Sequence, residues 1–414
     1  MPARSPQSRV AYLTDVEGMW AKLESFTRGN PDVWLEDGRL QVREGTVFVF
    51  GGDAIDRGDA GRQVVRTLLE AKRRLGDQVV LLGGNRDINK LRLWRELQGH
   101  PLARAPEGAS QAGLLRWIFE NTMGARAAFE FRRTELGREG RASDDAAVAL
   151  SYLEDLAPGG ELREYLRLCQ LAYRQGPTLV VHGGITEESL FQVPSRGPAQ
   201  GVDEWVDGLN AWYREQLQRF CEEGRDPWET PGWAQVVAYQ APVPGTRRNR
   251  ASVVYGRTAD ALNNPLLPPA RTQDALREAG VYRLMVGHTP NGDTPSVLRG
   301  GGFELIVGDT SHSRVEGATQ VTVDHDRFLA RGETLLEDGS RHRVDLDHSL
   351  ADPDALIGLR TTEGGWLIKG RLEDGRWLLF RYLSGYRTEQ IALEEDAVRR
   401  LEPRAPGHDV ADAP

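Results

Sequence analysis

Carboxylate, amide and imidazole side chains gather in five short clusters along the 414-residue chain. In order they are Asp15-Val16-Glu17-Gly18, Gly52-Asp53-Ala54-Ile55-Asp56-Arg57-Gly58, Gly84-Asn85-Arg86-Asp87, His182-Gly183-Gly184 and Gly287-His288-Thr289-Pro290. These are the oxygen and nitrogen donors that bind divalent metal ions. Taken singly, each cluster has an ordinary alternative, because an Asp after a strand also caps helices and a lone His is commonly structural. Their joint occurrence, each beside a glycine that lets a loop turn sharply toward a common centre, points to a metal site.

The elements that must position these clusters are short apolar runs, each ending where a cluster begins. Val10-Ala11-Tyr12-Leu13, Val47-Phe48-Val49-Phe50, Val79-Val80-Leu81-Leu82, Leu179-Val180-Val181 and Leu284-Met285-Val286 read as buried strands. Residues Ala60 to Leu75 have helical spacing between the second and third strands, so the fold class is α/β. Open sheets of that class place their sites just beyond strand ends. Residues 91 to 175 read as a helical insertion, with a solvated loop at the arginine-rich stretch 132 to 145. From residue 327 to about 400 the pattern becomes a small β module, clearest in Gly365–Gly370 and Trp377–Tyr382 joined by the turn Glu373-Asp374-Gly375. The tail 401–414, rich in Pro, Asp and Ala, is expected to be disordered. The catalytic unit is thus expected within residues 1–326.

Composition narrows the partners. A formal charge of -9 gives no general attraction to nucleic acid or to anionic membranes, and no stretch approaches the roughly 18 apolar residues of a membrane span. The first ten residues lack the apolar run of a signal peptide, so a cytoplasmic location is expected. Cys169 and Cys221 fit neither a disulfide framework nor a CxxC metal pattern.

Over residues 10 to 324 the clusters resemble the calcineurin-like metallophosphoesterases, most closely their phosphoprotein phosphatase branch. The family signature runs Asp-x-His-Gly, Gly-Asp-x-x-Asp-Arg-Gly, Gly-Asn-His-Glu/Asp, His-Gly-Gly and a late His. Gly52 to Gly58 matches its second motif in full, and Asn249 to Gly256 looks like its arginine-bearing segment. The resemblance implies a mixed β-sheet sandwich flanked by helices. It implies one metal on Asp15, Glu17 and Asp53 and a second on Asp53, Asn85, His182 and His288, the two ions clamping a phosphate and activating water. It also implies that Arg57 and Arg250 bind phosphate oxygens as planar forks, and that the substrate is a phosphoprotein or a small phosphate ester or nucleotide.

Two departures from the family bear on mechanism. Glu17 stands at the family's first His and offers a hard oxygen, which favours Mn²⁺, with Mg²⁺ or Fe as alternatives. Arg86 stands where the family has the His that protonates the leaving group. A guanidinium cannot deliver a proton, although it can stabilise charge, and Asp87 is placed to hold it by a paired hydrogen bond. His312 is the candidate substitute acid. The reaction expected is hydrolysis of phosphate monoesters with low-pKa leaving groups. The alternatives are a phosphoanhydride hydrolase of the dinucleoside-polyphosphate type, suggested by Gly-His-Thr-Pro, and a catalytically weak phosphate-binding scaffold.

Overall fold

The computed structural model describes residues 9–99, 104–222, 234–352, 355–383 and 387–406. Each apolar run expected to be a strand is one: Arg9–Leu13, Thr46–Phe50, Val79–Leu81, Thr178–Val181 and Arg283–Val286. They divide between two sheets. In the larger sheet, 11-stranded among the described residues, Arg9–Leu13 pairs in parallel with Thr46–Phe50, which pairs in parallel with Val79–Leu81. In the five-stranded sheet Arg283–Val286 lies parallel to both Thr178–Val181 and Phe303–Val307. The architecture is α/β, with mixed sheets flanked by helices.

Alternation along these strands explains the layering, since successive side chains point to opposite faces. Val10, Tyr12, Val49 and Val80 from the larger sheet share one buried cluster with Val180, Met285 and Ile306 from the smaller. The intervening residues Ala11, Leu13, Phe48, Phe50, Leu179, Val181, Leu284 and Val286 belong to a second cluster with the helices, among them Val64, Val65 and Leu68 of Gly61–Leu75. The two sheets therefore pack face to face, and their parallel strands deliver their C-terminal ends to the same rim. The carbonyl of Gly51, at the end of one sheet's strand, accepts from His182 Nδ1 at the end of the other's, at 2.8 Å.

Beyond residue 326 the strands Arg327–Leu335, Arg341–Ser349, Leu367–Leu372, Trp377–Tyr382 and Thr388–Leu393 continue the larger sheet outward from Gln320–Asp324. The expected aromatic hairpin is among them, with Leu367 opposite Phe380. The tail expected to be disordered from Leu401 begins with Pro403–Arg404, which pairs with Arg360–Thr361; residues 407–414 lie outside the described residues. The stretch 132–145, expected to be a solvated loop, is helical through Arg138 in Ala128–Arg138. Its arginines find fixed countercharges there, with Arg132 buried and 2.6 Å from Asp155. No described helix is long and apolar enough to cross a membrane.

Candidate metal centre

Asp15, Glu17, Asp53, Asn85, His288, Arg57, Arg86 and His312 all line one cavity of about 430 Å³ at the common rim of the two sheets. His182 is fully buried beside it. Four of the expected ligands hold left-handed backbone: Asp15 (φ 51°), Glu17 (φ 51°), Asp53 (φ 57°) and His288 (φ 63°). Each such residue costs about 1–2 kcal/mol relative to right-handed backbone, and such strain gathers where function over-determines the conformation. Glycines make the close approach possible. A Cβ at Gly84 would lie 2.1 Å from Asp53 Oδ1, and one at Gly287 would lie 2.2 Å from Asp15 Oδ2.

Asp53, His182 and His288 form a group whose donor atoms lie within 4.8 Å of one another, and it could hold one metal ion. Asn85 completes it, because Asn85 Oδ1 lies 3.2 Å from His182 Nε2 and 2.7 Å from His288 Nδ1. The contact of His182 Nδ1 with a carbonyl oxygen requires that this nitrogen carry the proton, which turns Nε2 toward Asp53 Oδ1 at 3.4 Å. Burial works to lower the His182 pKa, but Asp53 and Asp15 outweigh it and raise the imidazole to about 10. Burial likewise works to raise the Asp53 pKa, and His182 and Arg86 overcome it to hold the carboxyl below its ordinary value. His288 is pushed well below its ordinary value by burial and by Arg257, whose Nε donates to His288 Nε2 at 3.1 Å. One charged and one neutral imidazole thus face a carboxylate and an amide oxygen, a donor set that fits a divalent cation once His182 gives up its Nε2 proton.

The other expected ligand set does not fit a cation in the same way. Glu17 is buried and ion-paired: Oε1 lies 2.5 Å from Arg86 Nε, and Oε2 lies 3.3 Å from Arg57 Nε but accepts no hydrogen bond. Burial still dominates its titration and raises its pKa to about 7 against both arginines. Asp15 accepts from the Thr14 hydroxyl at 2.6 Å and from the His288 amide at 3.2 Å. Its pKa is raised well above the ordinary value by burial and then by Asp309.

Several sequence expectations need correction here. Asp87 does not hold Arg86: its carboxylate accepts from the amides of Asp53 (2.9 Å), Ala54 (2.8 Å) and Gly84 (3.1 Å) and so shapes the loop that carries Asp53. Arg250 does not line the cavity. Its neighbour Asn249 is buried and donates to the carbonyls of Tyr239 and Ala241, which turns Arg250 outward to Glu188 at 2.7 Å. Arg257 lines the cavity where Arg250 was expected. His312 is on the lining, and burial and Arg57 lower its pKa to about 4, so it is neutral at pH 7.

Two residues of the site were missed. Asp309 lines the cavity, is 2% exposed, and follows the buried strand Phe303–Val307 and Gly308, the same strand-glycine-carboxylate signal as at Asp53. Lys22, buried in Trp20–Thr27, donates to the Thr310 carbonyl beside Asp309; burial lowers its pKa while Asp309, Glu17 and Asp15 oppose that. Only the proximity of its helix to the rim gives Lys22 away.

No protein-family model matches the chain, and no curated protein matches it. Among solved structures the chain is similar to a cold-active protein-tyrosine phosphatase of the psychrophile Shewanella sp., at 18% identity over 82% of this chain and 80% of that one, with a TM-score of 0.47. It is similar also to a protein serine/threonine phosphatase from Saccharomyces cerevisiae, at 12% identity over 84% and 82% of the two chains, TM-score 0.38. A metallophosphoesterase from Sphaerobacter thermophilus aligns at 12% identity over 83% and 88%, TM-score 0.34.

Proposed function

We propose that this chain is a metal-dependent phosphoesterase that hydrolyses phosphate monoesters, with leaving groups of low pKa favoured. The observation that carries this reading is the meeting of Asp53, Asn85, His182 and His288 in a cavity that also presents Arg57, Arg86 and Arg257. Metal-competent donors alone would suit many chemistries. Three guanidiniums facing the same space select an anion with several oxygens, and planar forks match phosphate.

Asp53, Asn85, His182 and His288 would hold the ion, with Mn²⁺ the favoured metal. A divalent ion in such a site supplies Lewis acidity toward a phosphoryl oxygen and toward water. The protein's own part is orientation and charge. Arg57, partly exposed at the rim, is available to a phosphate oxygen while it steadies Glu17. Arg257 fixes the ring of His288 through Nε and leaves its remaining N–H groups for the ligand. Arg86, 14% exposed, is a permanent positive charge beside the cavity and stabilises a departing anion without protonating it. His312, neutral at pH 7, has no imidazolium proton to give. Departure therefore depends on the intrinsic stability of the leaving anion.

A series of phosphate esters of graded leaving-group pKa tests this, run on the Mn²⁺-loaded protein together with a nucleotide phosphoanhydride. Rates should fall steeply as leaving-group pKa rises. A flat dependence would contradict the reading of Arg86 and make His312 the proton donor. No turnover of any member would remove the phosphoesterase reading.

A further inference from the structure

Glu17 and Arg86 depart from the expected pattern together, and the structure joins them. The carboxylate of Glu17 points to the same place as that of Asp53, and the Arg86 guanidinium sits between them. Arg86 Nε is 2.5 Å from Glu17 Oε1 and 3.7 Å from Asp53 Oδ2, and its Nη1 is 3.7 Å from Asp56 Oδ2. The backbone pins this geometry, because the Arg86 amide donates to Asp53 Oδ1 at 2.8 Å and the Glu17 amide donates to the Asp53 carbonyl at 2.9 Å.

We propose that the Arg86 guanidinium occupies the position between Glu17 and Asp53 that a two-metal arrangement gives to its second cation, so the protein binds one divalent ion per chain. This rests on the metal-dependent reading above and sharpens it. Arg86 Nε sits on Glu17 Oε1, and Arg57 Nε stands 3.3 Å from Oε2, which accepts no hydrogen bond. A guanidinium does not lose its proton in a protein, so the positive charge cannot be withdrawn to admit a dication beside it. A second ion would need the same carboxylate oxygens at shorter distances, against two fixed like charges. The donors of the first position are free of this conflict: Asn85 Oδ1 contacts His182 Nε2 at 3.2 Å and His288 Nδ1 at 2.7 Å, and Asp53 Oδ1 lies 3.4 Å from His182 Nε2. The two departures are coupled in space, since the carboxyl at residue 17 and the guanidinium at residue 86 are in direct contact.

The experiment is metal counting on the full-length protein, stripped with chelator and titrated with Mn²⁺ alone. Stoichiometry is read by calorimetry and by elemental analysis after desalting, and spin coupling by electron paramagnetic resonance. The wild type should take one Mn²⁺ per chain and give the six-line spectrum of an isolated ion. Arg86→Ala frees Glu17 and should take two, with the spectrum of an exchange-coupled pair. Arg86→Met, which keeps most of the side-chain volume, repeats the test if Arg86→Ala does not fold. Two ions in the wild type would overturn the proposal while leaving the metal-dependent reading intact. One ion in both folded Arg86 variants would also overturn it. No Mn²⁺ bound by the wild type would defeat the metal-dependent reading itself.

Discussion

Asp87 offers the sharpest test of how the site is held. The perturbation is Asp87→Ala, which removes the single acceptor group serving the amides of Asp53, Ala54 and Gly84 at 2.8–3.1 Å, at a position that is 0% exposed. Each buried donor left without a partner costs about 1–3 kcal/mol, less where water can enter. Three such donors give a loss of roughly 3–9 kcal/mol, a large part of the roughly 5–15 kcal/mol that holds a typical domain together. Asp87→Asn keeps one oxygen but turns an NH₂ group toward an amide donor, so about half that loss is expected. The assay is urea unfolding of the metal-free protein followed by tryptophan fluorescence, with Mn²⁺ affinity measured alongside. Affinity should fall in the same order, because these amides fix the left-handed backbone of Asp53. An Asp87→Ala protein within about 1 kcal/mol of wild type, with unchanged Mn²⁺ affinity, would refute the reasoning.

Gly287→Ala places a Cβ 2.2 Å from Asp15 Oδ2 and 2.5 Å from Thr14 Oγ1, so it should displace His288 and cut turnover by about a hundredfold or more; near-normal kinetics would count against the site geometry. Arg257→Ala should raise KM for phosphate esters while Arg250→Ala leaves KM unchanged, since only Arg257 lines the cavity; steady-state kinetics on both variants would expose the reverse. In the metal-free protein His182 is raised to about 10, above its unfolded value near 6.5. Its contribution to stability is thus fully present below about 6.5 and lost as pH rises through about 10. For the same reason Mn²⁺ binding at pH 7 should release a proton and tighten as pH rises, and calorimetry in buffers of different ionisation enthalpy would detect its absence.

What was legible in the sequence was local. A strand that ends in glycine and a metal-competent side chain is read from adjacent residues, so the clusters at Asp15, Asp53, Asn85, His182 and His288 could be listed before their meeting was visible. Asp309 carries the same signal after Phe303–Val307 and was readable on those terms. Long side chains were not. Arg250 and Arg257 lie seven positions apart in one irregular segment, and only the burial of Asn249 decides which of them faces the cavity. The role of Asp87 was not legible, because two of its three partners are backbone amides 33 and 34 residues away, and no side-chain pattern announces those. The helix Ala128–Arg138 was hidden by its charges, because the countercharge for Arg132 comes from Asp155 on another helix. The extension of the larger sheet beyond residue 326 depends on the pairing of Gln320–Asp324 with Arg9–Leu13, a register between distant segments, whereas its pairing with Arg327–Leu335 is a local hairpin.

The central claim is that Asp53 and its neighbours bind an ion that phosphate-ester hydrolysis requires. The most direct measurement is turnover of an aryl phosphate by chelator-stripped protein as Mn²⁺ is added back, for the wild type and for Asp53→Asn. The wild type should be inactive when stripped and recover in step with Mn²⁺ bound, while Asp53→Asn stays folded, binds Mn²⁺ far more weakly and remains inactive. Full activity without metal, or wild-type turnover and Mn²⁺ affinity in Asp53→Asn, would contradict the account.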